Sequence, residues 1–164
     1  AKVGDLISAD AARRVGRLID DALARGATLV VGGEGSGAYV QPTLLDRVTP
    51  EMQIYSEESF GPIAAIVRVE DEAEAVSVAN DTQYGLVASV FTADEARGRA
   101  IARRLETGVC HINGPTVYDD PSKPYGGVKT SGYGRFGGTT AIQEFTELRW
   151  ITVQEPRSDY PFWT

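Results

Sequence analysis

Residues 63–113 read IAAIVRVEDEAEAVSVANDTQYGLVASVFTADEARGRAIARRLETGVCHIN, and two patterns alternate along them. Ile63-Ala64-Ala65-Ile66-Val67 is apolar throughout and, continued to Val69, has the pattern of a buried strand. Asp71 can cap a helix from Glu72 to Asn80, with Ala73, Val76 and Ala79 on one face. Gly85 to Phe91 is a second apolar strand. Asp94 caps a second helix to about Glu106, Gly108 ends it, and Val109 to Asn113 forms a third strand. Strand, helix, strand, helix, strand implies βαβ units: an α/β fold with a mainly parallel sheet and flanking helices on both faces.

Upstream, Ser8 or Asp10 can cap a helix to about Arg25. Val15, Leu18, Ile19, Ala22 and Leu23 fall on its apolar stripe, and Gly26 stands at the C-terminal cap position. Thr28-Leu29-Val30-Val31 is a short strand, residues 34–37 are a turn, and residues 39–48 are extended, with Pro42 marking an edge or irregular strand. Downstream, residues 114–138 are an irregular, glycine-rich segment whose Tyr118, Tyr125, Tyr133 and Phe136 argue for order. A short helix from Thr139 to about Phe145 follows. Residues 147–153 then alternate as a strand that is apolar partly on both faces, suited to pairing with another subunit. The division is residues 1–143 as the body and 144–164 as an assembly strand and tail.

The chemistry starts just before the first strand, at Glu57-Glu58-Ser59-Phe60-Gly61-Pro62. Open α/β sheets bind ligands at strand mouths. A carboxylate there can accept hydrogen bonds from two sugar hydroxyls, and an aromatic ring can lie against a flat heterocycle. Glu58 and Phe60 are two apart, hence on one side if the segment is extended, and form a candidate ribose contact. Solvated acids and a core ring are the bland alternative. Cys110-His111 resembles a nucleophile and base, but neighbours on a strand face opposite ways, and a lone buried thiol packs as a small hydrophobe. Gly132-Tyr133-Gly134-Arg135-Phe136-Gly137 fits G-x-G-x-x-G without the strand that should precede it; a loop in which backbone packs on backbone explains it better. One Cys and one His make no metal site.

The 164 residues carry a net charge of −7 and no basic run, which argues against nucleic acid. No apolar run approaches the ~20 residues of a membrane span. A single cysteine gives no internal disulfide, and no signal peptide is visible, so cytoplasm is the default. The abrupt start and 18 glycines suit a piece of a longer chain; a processed or tagged chain would look similar.

Four motifs occur in order: residues 57–62, Asn80 with Tyr84-Gly85-Leu86, Gly108-Val109-Cys110-His111-Ile112-Asn113, and residues 124–132. Together they resemble the C-terminal part of the aldehyde dehydrogenase superfamily, over nearly the whole chain. Residues 108–117 and 144–151 look like the branch acting on aromatic aldehydes such as benzaldehyde, vanillin and salicylaldehyde. The resemblance implies an NAD- or NADP-dependent oxidation of an aldehyde to the acid. It implies that Glu58 holds the nicotinamide ribose, that Phe60 presses on the nicotinamide side, and that Tyr118 and Tyr125 line the aldehyde pocket. Asn113 and the Gly126-Gly127 loop would shape the pocket wall, and residues 144–154 would join subunits into a dimer or tetramer. The family's nucleophilic cysteine, oxyanion asparagine, general base and Rossmann segment all precede the region seen here. No catalytic residue is therefore assigned, and Cys110 does not align with the nucleophile. Ala11 stands where some relatives have a glutamine that reaches the cofactor, and Tyr125 replaces a commoner phenylalanine. A non-catalytic fragment that pairs through its last strand is the rival reading.

Overall fold

The computed structural model describes residues 3–153. The chain divides into two compact units, one built from residues up to Gln83 together with Arg99–Glu106, the other from Tyr84–Gly98 and the chain from Thr107 on.

The first unit opens with α1 (Ala9–Ala24), capped by the Ser8 hydroxyl, which accepts from the Ala11 N–H at 3.1 Å. Val15, Leu18, Ile19 and Ala22 recur at helical spacing and are 0–3% exposed. Leu23, expected on the same stripe, is 38% exposed, because it lies one residue past the buried face. Gly26, at φ 100°, turns the chain into β1 (Thr28–Val31). A hairpin of β2 (Gly35–Ser36) and β3 (Tyr39–Val40) occupies the expected turn region. Pro42 breaks the extended run before β4 (Thr43–Asp46), which lies between β1 and β5 (Ile63–Ala65) as the middle strand and not at an edge.

β4 pairs antiparallel with β1 and parallel with β5, in the register Thr43↔Ile63, Leu44↔Ala64, Leu45↔Ala65. The core beneath is Leu18, Ala22, Ala27, Leu45, Val48, Met52 and Ile54. Each fully buried aliphatic side chain of this kind contributes ~1.5–3 kcal/mol. The short α2 (Gln53–Ser56), not foreseen in the sequence, is anchored by Asp21, whose carboxylate accepts from the Gln53 N–H at 2.9 Å. α3 (Glu72–Asn80) is capped by Asp71, as expected. Val76 is its buried residue, whereas Ala73 and Ala79 are exposed, so the predicted apolar face is narrower than its sequence pattern.

In the second unit, β6 (Tyr84–Gly85) and β7 (Val87–Val90) replace the single strand expected from Gly85 to Phe91. They separate because β6 pairs antiparallel with β9 (Val128–Lys129), while β7 pairs parallel with β8 (Val109–Ile112). Between β7 and β8 runs α4 (Glu95–Ala102), shorter than the sequence pattern, with the Asp94 carboxylate accepting from the Arg97 N–H at its start. α5 (Gly138–Glu144) closes the described helices.

The architecture is α/β with parallel and antiparallel pairs mixed. The parallel pair β7–β8, joined through α4, matches the βαβ expectation, and β4–β5 is a second parallel pair that the sequence reading did not foresee; β5 pairs with β4 and not with β7, so the three predicted strands do not form one sheet among the described residues. Nor are both faces covered: Leu29, Val30 and Val31 on β1 are 40%, 54% and 58% exposed. No strand is present in residues 147–153, where Leu148, Trp150 and Val153 are almost fully exposed. Among the described residues no strand offers them a ladder to join. Residues 154–164, part of the expected assembly segment, lie outside the described residues.

Candidate functional site

The loop of residues 57–62 is fixed at both ends. Glu57 closes α2 by donating its N–H to the Gln53 carbonyl at 2.9 Å, and the Pro62 carbonyl accepts from the Thr43 N–H at 2.8 Å, at the start of β4. Gly61 is pressed against α1: a Cβ there would lie 2.5 Å from Val15 Cγ2, so only glycine lets the loop come this close. Between these points the chain is not extended. Phe60 has φ 45°, the left-handed region a bulky residue rarely occupies. The alternation argument for Glu58 and Phe60 therefore does not hold. Both residues are nonetheless carried by one short loop and are exposed, Phe60 at 71%.

Arg14, half-buried on α1, fixes that shape. Its Nη1 donates to the Glu58 carbonyl at 3.0 Å, its Nη2 donates to the Ser59 carbonyl, and its Cζ lies 5.7 Å from the centre of the Phe60 ring. The Glu58 carboxylate makes no hydrogen bond or ion pair among the described residues. Two acceptor oxygens unengaged among the described residues could take the hydroxyls of a sugar, and the exposed ring on the same loop could meet a flat heterocycle. Sequence reading missed Arg14, which sits on the flank of an amphipathic helix 44 residues away from Glu58.

The second unit carries the other expected positions. Asn113, at φ 57°, ends β8; its side-chain amide donates to the Thr92 carbonyl and accepts from the Thr92 N–H, both at 2.8 Å. It works as a latch across the ends of β7 and β8, with both amide atoms engaged. Tyr118 is 58% exposed and stands edge-on to the His111 ring, 5.8 Å between centres at 87°. His111 Nε2 is buried without a partner among the described residues. Tyr125 is half-buried and exchanges backbone hydrogen bonds with Phe136 at 2.8 and 2.7 Å.

Cys110 is no nucleophile here. Burial pushes its thiol pKa up, and its only described polar contact is a long one, 3.8 Å, to the His111 carbonyl. In the G-x-G-x-x-G match only Gly137 is packed on backbone, where a Cβ would lie 2.1 Å from the Lys123 carbonyl oxygen; a Cβ on Gly132 would meet nothing within 4 Å. Among the described residues no group of three acidic, Cys or His side chains can hold a metal ion, and no helix is long and apolar enough to cross a membrane.

The geometry thus offers a carboxylate unengaged among the described residues and an exposed ring on the loop ahead of β5, while burial leaves the Cys110 thiol unactivated. The sequence profile of the Aldehyde dehydrogenase family matches residues 1–151, and the chain belongs to that family. Vanillin dehydrogenase of Pseudomonas fluorescens is 52% identical over 159 residues, covering 97% of this chain and 33% of that protein. The crystal structure of a salicylaldehyde dehydrogenase from Pseudomonas putida G7 complexed with salicylaldehyde superposes with a TM-score of 0.90 at 44% identity, covering 98% of this chain and 33% of that one. An aldehyde dehydrogenase of Mycobacterium tuberculosis complexed with NAD+ gives 0.87 at 36% identity, covering 97% and 34%. The chain thus spans about a third of the length of the curated relatives it matches. It corresponds to the C-terminal part of the catalytic domain.

Proposed function

We propose that these residues work within a longer polypeptide, an NAD- or NADP-dependent aldehyde dehydrogenase that oxidises an aromatic aldehyde to its carboxylic acid. The observation that carries this reading is the Glu58–Phe60 loop: a carboxylate without a partner among the described residues and an exposed ring, both on a backbone held in a strained shape. When bound, the nicotinamide cofactor supplies the hydride acceptor. Glu58 would accept the hydroxyls of its ribose, and Phe60 would limit where its ring can lie. Tyr118 and Tyr125 would face the aldehyde, where an aromatic substrate gains ~0.5–1.5 kcal/mol per ring pair beyond area burial. Asn113 and the Gly126-Gly127 loop would hold the wall on which those rings stand. The similarity to vanillin and salicylaldehyde dehydrogenases supports the aromatic class. Cytoplasmic location and a homo-oligomer joined through residues 144–154 complete the proposal; the exposed Leu148, Trp150, Ile151 and Val153 support the latter.

The test is turnover. The 164-residue chain alone gives no aldehyde-dependent NADH or NADPH, because it has no activated thiol. The longer polypeptide turns over hydroxybenzaldehydes with higher kcat/KM than succinate semialdehyde. Activity of the short chain that vanishes on Cys110→Ser would overturn the reading, and a preference for the aliphatic aldehyde would overturn the aromatic assignment.

A further inference from the structure

We propose that Arg14 is a positioning residue for the nicotinamide end of the cofactor, acting through the loop that bears Glu58 and Phe60. The inference rests on the function proposed above. A loop that carries a non-glycine residue at φ 45° must be held by its surroundings, since such backbone persists only where neighbouring groups over-determine it. Two consecutive positions of α1 do the holding. Val15, wholly buried, meets Gly61 on one side of the strained residue, and Arg14 binds the two carbonyls on the other.

The shape of the guanidinium matters. Its two Nη groups address the carbonyls of successive residues, Glu58 and Ser59, while the planar group lies over the ring of the third, Phe60. A rigid fork with several donors can do all of this at once; a lysine ammonium, a point charge on a flexible stem, cannot. Arg14 makes no ion pair among the described residues, whereas its neighbour Arg13 pairs with Asp10 and is exposed. The Arg14 bonds thus go to backbone and leave the Glu58 carboxylate unengaged, and the arginine sets where that carboxylate and ring stand without competing for them. Misplacing a bound reactant by about 1 Å can cost ~100-fold in rate, so a support of this kind acts on the hydride step.

The experiment is a double-substitution cycle in the longer polypeptide, with Arg14→Met, Arg14→Lys, Glu58→Gln and the Arg14→Met/Glu58→Gln pair. Single-turnover NADH formation is read with protiated and C1-deuterated aldehyde. Arg14→Met is expected to slow hydride transfer ~10-fold, with a primary isotope effect appearing on kcat, and Arg14→Lys to recover part of the loss. The pair should be at most ~2-fold slower than the worse single variant, because both changes remove the same placement. Wild-type hydride transfer in Arg14→Met, fully multiplicative losses in the pair, or complete rescue by lysine would each overturn the inference. A merely structural arginine would lower thermal stability and leave the isotope effect on folded enzyme unchanged, which also counts against it. Should Arg14→Met not fold, the lysine variant carries the test: wild-type hydride transfer in it rejects the fork. If Glu58→Gln itself leaves hydride transfer untouched, the ribose role fails and this inference with it; if Glu58→Gln is slow and Arg14→Met is not, only the arginine's role fails.

Discussion

At Gly108 a Cβ would sit 1.7 Å from the carbonyl oxygen of Gly126, and backbone cannot yield as a side chain can. Gly108→Ala is therefore expected to cost roughly 3 kcal/mol or more, at the upper end for overpacking. Gly16 is the contrast: it lies inside α1 with nothing within 4 Å of a built Cβ, and Gly16→Ala should add ~0.5–1 kcal/mol. Urea titration of both variants in the longer polypeptide decides the pair; a neutral Gly108→Ala would mean the Gly108–Gly126 approach is not that close. Single residues were unevenly legible. Glu58, Phe60 and Asn113 were singled out because their neighbours form recognisable motifs. That Phe60 and Asn113 take positive φ was not legible, because the backbone there is set by partners far away in sequence, Arg14 for one and Thr92 for the other. His111 offered no sequence signal for its partner, since Tyr118 reaches it only after the chain has turned.

Among the elements, β4 and the segment after β5 are tied by charge. Arg68 donates to both Asp46 oxygens, from Nε at 2.9 and 3.2 Å and from Nη2 at 2.6 Å, and the Arg47 N–H adds a bond of 2.7 Å. The Arg68 bond, foremost, holds the Asp46 carboxyl below the usual carboxylate range. A carboxyl whose pKa is lower folded than unfolded contributes stability that is complete above the unfolded value, ~3.9, and is lost as pH falls through the folded one. Thermal midpoints should thus drop below about pH 4, and Asp46→Asn should flatten that acid limb while lowering the midpoint at neutral pH. An unchanged acid limb would remove Asp46 from the account. The helix starts at Ser8, Asp71 and Asp94 were legible because a cap is a local signal. α2 was not: four residues carry no period, and its start depends on Asp21, 32 residues earlier. The strand expected over residues 63–69 is regular only to Ala65, since the chain beyond pairs irregularly, Ile66 with Leu45 and Val48.

For the molecule as a whole, the sequence told fold class and family but not what the apolar surfaces face. Residues 147–153 read as a strand by alternation, yet a strand needs a neighbour, and none pairs with them among the described residues. If the segment joins copies, deleting residues 144–164 from the longer polypeptide should turn an oligomer into monomers in sedimentation velocity. An unchanged sedimentation coefficient would reject the assembly role.

The open face of β1 carries a practical corollary. Leu29, Val30 and Val31 sit on an edge strand of the three-stranded sheet, with spare backbone groups and greasy side chains offered together. Made by itself in a cell, such a polypeptide is expected in the insoluble fraction, and fractionation of the lysate checks this. If the rest of the longer polypeptide proposed above covers this strand, producing the two parts together should restore solubility to this one; no gain in soluble protein on co-production would show that the strand is covered by something else.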